Sequence, residues 1–204
     1  MNVHALIPLI ATIAYIPLFV ILLANRPWDR KQKNFLLFLV PAMLWSLSDI
    51  LFRGDFFMQD KLLLVKAVIC IGIWMVLQLH YLMFFPYSSR SFKMPFAYVI
   101  LASSIVLSAL GYLPQSIDVT AGGISVHYGN WFTLIVLVLL VVIGRDIYLL
   151  VRRLRISPDP IERNQLSFFF TAIVILVISA ASTSTTFGKD FPVSHIGNLI
   201  NACI

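Results

Sequence analysis

The chain has 204 residues, of which 60% are hydrophobic and only 12% charged, and it carries a formal net charge of +6. A composition this apolar excludes an ordinary soluble domain and predicts a polytopic membrane protein. The positive balance does not point to nucleic acid, because no aromatic-rich or groove-fitting basic module accompanies it.

Apolar runs near the length that crosses a hydrocarbon core of about 30 Å set the expected spans. They cover 3–25, 34–52, 61–85, 95–113, 131–154 and 164–187. The expected fold class is therefore all-α: a polytopic membrane helix bundle of six complete spans and a truncated seventh. These runs are continuous and nearly twice the length of a barrel strand, which excludes a transmembrane β-barrel.

The first run has no Lys or Arg ahead of it and a basic cluster behind it, at Arg26, Arg30, Lys31 and Lys33. That order predicts a retained span rather than a cleaved secretion signal. Pro8 and Pro17 in this span, and Pro41 in the second, are expected to bend their helices.

The second span contains Ser46 and Asp49, and the third contains Lys66. An ionisable group inside a span is costly, and by default it marks a function or a partner. Asp49 and Lys66 fall at comparable depth on antiparallel neighbours and form a candidate ion pair. Arg53, one turn along the helix of Asp49, is the rival partner. A structural pair near the headgroups and a sensing role both remain open for Asp49.

Cys70 and Cys203 both fall within apolar runs, so neither a structural disulfide nor a metal site is expected. Gln78 and His80 stand toward the far end of span three, with no second histidine or carboxylate at ligand spacing.

Between spans four and five, Ile117 and Val119, then Ile124, Val126 and Tyr128, alternate around Gly122 and Gly123. This period-two pattern around a glycine pair predicts a short extracellular β-hairpin over 116–128. Span five ends in Arg152, Arg153 and Arg155, a cluster suited to anionic lipid headgroups. Asp159, Pro160 and Glu162 form an N-cap, a first-turn proline and a capping-box acid for span six.

Small polar residues crowd the end of span six, among them Ser182 and Thr183. The run from 193 opens with His195, Asn198 and Asn201, which share one slowly drifting helical stripe. Ser46, Asp49, Lys66, Ser182, Thr183, His195 and Asn198 are the candidate ligand pocket. Packing of small side chains and back-bonding of Ser and Thr is the alternative reading of the same residues. The run 193–204 would cover only about 18 Å as a helix, so the chain is expected to continue.

Of the 15 basic residues, eleven fall in loops one, three and five when the end of span five, with Arg145, Arg152 and Arg153, is counted. Only Arg53, Lys61, Lys66 and Lys189 fall on the other side. The positive-inside rule then puts the N-terminus outside and any continuation inside. Trp28, Tyr87, Tyr112 and Trp131 stand at span ends and are expected to anchor in the headgroup layers. No phosphate loop, zinc-protease helix, serine elbow or paired intramembrane aspartates are present, so no catalytic residue is assigned.

Three stretches carry a resemblance: Leu44-Trp45-Ser46-Leu47 in span two, Arg163-Asn164-Gln165-Leu166 at the entry to span six, and Ile196-Gly197-Asn198 in span seven. Together with the external N-terminus, seven spans and outer hairpin, they resemble the N-terminal seven-transmembrane-helix sensor region of bacterial sensor histidine kinases. The resemblance implies a homodimer in the inner (plasma) membrane, multi-pass, which passes an unknown small ligand or membrane cue to a cytoplasmic kinase domain. A response regulator would be the partner of that domain, and this segment would need no cofactor. The output domain could instead be a cyclic-dinucleotide enzyme. A small multispan transporter or channel is the rival class. A retinal protein is a third, although its lysine in the last span has no counterpart from Phe191 to Ile204.

Overall fold

The computed structural model of the chain describes residues 3–53, 60–84, 94–120 and 123–182. Six helices and one two-stranded sheet follow in the order α1 (Val3–Ala24), α2 (Arg30–Arg53), α3 (Lys61–Phe84), α4 (Met94–Ala109), β1 (Ser116–Thr120), β2 (Gly123–His127), α5 (Asn130–Ile156) and α6 (Pro160–Ser182). Among the described residues, three helices are long and apolar enough to cross a membrane, at Gln32–Phe52, Lys61–Leu82 and Asn130–Ile156. Shorter apolar helices run at Pro8–Ala24 and Tyr98–Ala109. The start of the expected seventh span, 193–204, lies outside the described residues.

The chain divides into two compact units, one of 1–26 with 144–204 and one of 27–143. In the second unit, α2 begins about one turn earlier than the apolar run that predicts it, and a capping box explains the extension. The Gln32 amide donates to Asp29 Oδ1 at 2.6 Å, and the Asp29 amide donates to Gln32 Oε1 at 3.0 Å. Two amide donors, one at the cap and one in the first turn, are thereby satisfied reciprocally.

Helices α2 and α3 then pack as antiparallel neighbours. Gly72 lies against Trp45, since a Cβ there would be in ordinary van der Waals contact with the indole nitrogen, at 3.7 Å. At the far end of the pair, Lys61 Nζ donates to the Phe52 carbonyl at 2.5 Å and sits 5.8 Å from the Phe52 ring centroid. One cation thus satisfies a carbonyl of the last turn of α2 and lies over an aromatic face.

Helix α4 pairs with α3 through Gln78 to Tyr98 and through Cys70 to Ser108. It stops at Ala109, level with Cys70, so the stretch of α3 back to Lys61 extends about 14 Å further. Strand β1 lies beside α3. A positive φ of 82° at Gly111, where only glycine is unstrained, turns the chain away from α4. Ile73, Leu77, Leu113 and Ile135 form the core of this unit, with Ile69, Ile100, Leu101, Leu107, Phe132 and Leu139 packed around them.

The hairpin has the predicted alternation. Ile117 pairs with Val126 and Val119 with Ile124, while Ser116, Asp118 and Thr120 pair with His127, Ser125 and Gly123. One face is apolar and the other polar, as a period of two requires. The Gln115 amide extends the ladder to the His127 carbonyl at 3.0 Å, and Tyr128 stacks on Phe132 of α5 with centroids 4.2 Å apart.

The first unit buries one stripe on each of its helices: Ala11 and Tyr15 on α1, Asp146 and Leu150 on α5, and Leu166 and Ile173 on α6. Helix α1 runs through both Pro8 and Pro17, and α2 through Pro41. Thr12 Oγ1 donates to the Pro8 carbonyl at 2.9 Å.

Candidate functional site

The predicted pocket residues fall into three groups. Ser46 and Asp49 stand on α2 and Lys66 on α3, within one unit. Ser182 is the last residue of α6, in the other unit. Thr183, His195 and Asn198 lie outside the described residues, as does the side chain of Ser182.

Within the α2–α3 pair, the contact of Trp45 with Gly72 sets the register. Counting outward from it puts Asp49 within about two residues, or about 3 Å, of the level of Lys66. Their comparable depth, inferred from loop positions, therefore follows from the helix pairing as well. The Asp49 and Arg53 side chains are outside the described residues, so the choice between Lys66 and Arg53 as partner is too. Ser46 is fully buried, and Lys66 is half-buried one turn from Cys70.

Helix α4 runs from the level of Gln78 to that of Cys70, toward Lys66, and β1, which follows it and touches α3, therefore belongs to the Lys66 end of the pair. The hairpin offers a second polar group there: His127 Nε2 lies 2.7 Å from Asp118 Oδ2, with both side chains largely exposed. The two residues are on the polar face of neighbouring strands, in pairs two positions apart along the ladder, where diagonal side chains reach each other. Ionisable residues of α2 and α3 and a polar hairpin face therefore belong to one end of this unit. Such an arrangement can bind a polar or charged solute by hydrogen bonds and charge, and it offers no nucleophile paired with a base.

The buried polar groups Lys61, Gln78 and Asp146 stand outside the predicted pocket, and of these only Gln78 was weighed from the sequence, with His80, as a metal site. Lys61 was counted only as a loop charge, yet it is 3% exposed and holds the Phe52 carbonyl. Gln78 is also 3% exposed; its Nε2 donates to the Tyr98 hydroxyl at 3.0 Å, while its Oε1 has no hydrogen-bond partner. Asp146 is an equally buried acid within α5. The rule that singled out Asp49, an acid inside an apolar run, applies to Asp146 as well.

The α5–α6 turn departs from the reading of Arg153 as a lipid contact. Arg153 Nη2 donates to Glu162 Oε1 at 2.5 Å, and Ser157 Oγ donates to Glu162 Oε2 at 2.7 Å. Asp159 is the expected cap: its Oδ1 accepts from the Ile161 amide at 3.0 Å. The predicted capping-box acid thus clasps the preceding helix. Of the four aromatic anchors, Trp131 and Tyr112 are exposed and Trp28 is half-buried, while Tyr87 lies outside the described residues. Among the described residues, no group of three or more His, Cys, Asp or Glu side chains is placed to hold a metal ion.

No known family matches the chain, and no curated protein is significantly similar to it.

Proposed function

We propose that the chain is the membrane-embedded signal-input region of a sensor histidine kinase. It would cross the inner (plasma) membrane six times, with the run from 193 opening a seventh span and the N-terminus outside. The observation that supports this reading is the gathering of polar groups at the hairpin end of the α2–α3 pair. Asp49, Lys66 and the Asp118–His127 pair belong to that end. The charge asymmetry of the loops makes it the outer end, where an external cue arrives.

In mechanism, a cue that binds one helix packing better than another shifts the population between the two, and the last span carries the change inward. The region works as a homodimer, and a response regulator receives the phosphoryl group from the cytoplasmic domain. The test is cue-dependent autophosphorylation of the full-length product. Asp49→Ala and Lys66→Ala are expected to abolish the response while leaving basal phosphorylation intact. A full-length product with no kinase-like or cyclase-like domain overturns the reading.

Transport is the second reading, and a specific observation favours it. Gln78 is a buried polar group well inside α3, away from the hairpin end of the α2–α3 pair, and its Oε1 has no hydrogen-bond partner among the described residues. A solute pathway needs polar groups at such depths, whereas a sensor with an outer pocket does not. Ion or solute flux in liposomes, lost on Gln78→Leu, would decide for transport.

A further inference from the structure

The sequence treats Arg152, Arg153 and Arg155 as one basic cluster, but the structure separates them. Arg153 is bound to Glu162, across the turn. Arg152 and Arg155 are exposed, and among the described residues neither has an ion pair. Helical geometry explains the division. Residues 152 and 155 are three apart and share a face, whereas 153 is rotated by about 100° toward α6.

Tyr148 stands one turn before Arg152 on that same outward face and is 65% exposed. The face therefore presents a phenol and then two guanidinium groups, spaced about 6 Å and about 4.5 Å along the axis. The order matches the depth profile of a phospholipid: an amphipathic ring belongs where acyl chain meets glycerol, and guanidinium groups belong at phosphate. Planar guanidinium forks suit phosphate oxygens, which accept two parallel hydrogen bonds. Among the described residues neither acid of the turn pairs with them, since Glu162 is engaged by Arg153 and Ser157, and Asp159 caps the Ile161 amide.

We infer that Tyr148, Arg152 and Arg155 form a headgroup site for an anionic phospholipid on the outward face of α5. The inference rests on the membrane reading given above, with this turn at the bilayer surface. The site favours phosphatidylglycerol-like lipids over zwitterionic ones, because a zwitterion brings its own ammonium to compete for the phosphate. Occupancy ties the end of α5, and through the Arg153–Glu162 clasp the start of α6, to the headgroup layer.

The test is native mass spectrometry of the full chain released from bilayers of phosphatidylcholine with a minor fraction of phosphatidylglycerol. Wild type is expected to retain phosphatidylglycerol preferentially. Each arginine near an anionic surface contributes about a fivefold preference, so R152Q/R155Q should lower it roughly twentyfold or more. The control K33Q/R163Q removes two other exposed charges and is expected to retain the lipid as wild type does.

Equal loss in the control would show a general charge effect and overturn the site, as would unchanged retention in R152Q/R155Q. Displacement of the lipid by inorganic phosphate at millimolar level would make the ligand free phosphate and overturn the lipid assignment. Failure of every form to insert into bilayers would instead overturn the membrane reading itself.

Discussion

The α2–α3 pair and the α5–α6 turn join successive helices in opposite ways. Helices α2 and α3 meet along their length, with Gly72 against Trp45, and a buried lysine closes their end on the Phe52 carbonyl. Helices α5 and α6 are fastened at the turn itself, where Glu162 holds both Arg153 and Ser157. In hydrocarbon, apolar side chains gain little by choosing a protein neighbour over lipid, so small residues and polar contacts do the choosing. The difference shows that equally apolar helices are joined by the few residues that break the apolar pattern.

Four substitutions would sharpen or break this contrast, each read as thermal stability in mild detergent. Leu113→Ala has the largest expected effect, a loss of about 3 kcal/mol, because Leu113 is fully buried in the core of its unit. A loss confined to a few tenths would mean that the hairpin base contributes nothing to the packing of α3, α4 and α5.

Lys61→Met comes next, at about 2 kcal/mol, since it removes a charged donor from a part-buried carbonyl at the end of α2. No change on this substitution would show that the α2–α3 end is held by packing alone. Glu162→Gln is expected to cost about 1 kcal/mol, and the loss should shrink as salt rises, because the clasp is a partly exposed ion pair. A salt-independent loss would make the Ser157 contact, rather than the ion pair, the fastening of the turn.

Gly129→Ala is the smallest, at roughly 0.5 kcal/mol or less, although a Cβ would come within 2.7 Å of Gln115 Nε2. The obstacle is the flexible end of an exposed side chain, which can swing away. A loss above about 1 kcal/mol would mean that Gln115 is held in place at the base of the hairpin.

The hairpin was the most legible element. Its alternation named both faces, and the strands pair in the register that puts Ile117 opposite Val126 and Val119 opposite Ile124. Asp159 as the cap of α6 was equally legible, because a cap is a local hydrogen bond between residues two apart. The capping box of α2 was available in the same way, as Asp29 followed three residues later by Gln32, but the polar first turn hid the helix from a search for apolar runs.

Of the candidate site, Asp49 and Lys66 could be selected from the sequence as ionisable groups within apolar runs, and the α2–α3 register puts them at similar levels. Nothing in the sequence shows that Ser46 is fully enclosed or that Lys61 closes the helix pair. Both depend on which side of α2 meets α3, and a helix that is apolar all round carries no amphipathic stripe to reveal it.

What the sequence determined by itself is what local physics controls: the apolar helices, the amphipathic hairpin and the cap at Asp159. Charge asymmetry likewise gave an expected orientation without any knowledge of packing. The tertiary structure decided how polar residues are spent. It bound Arg153 to Glu162 while leaving Arg152 and Arg155 outward, and it buried Gln78 against Tyr98 and Asp146 within its own unit. Those outcomes depend on the rotation of each helix about its axis, which only contact with a neighbour can set.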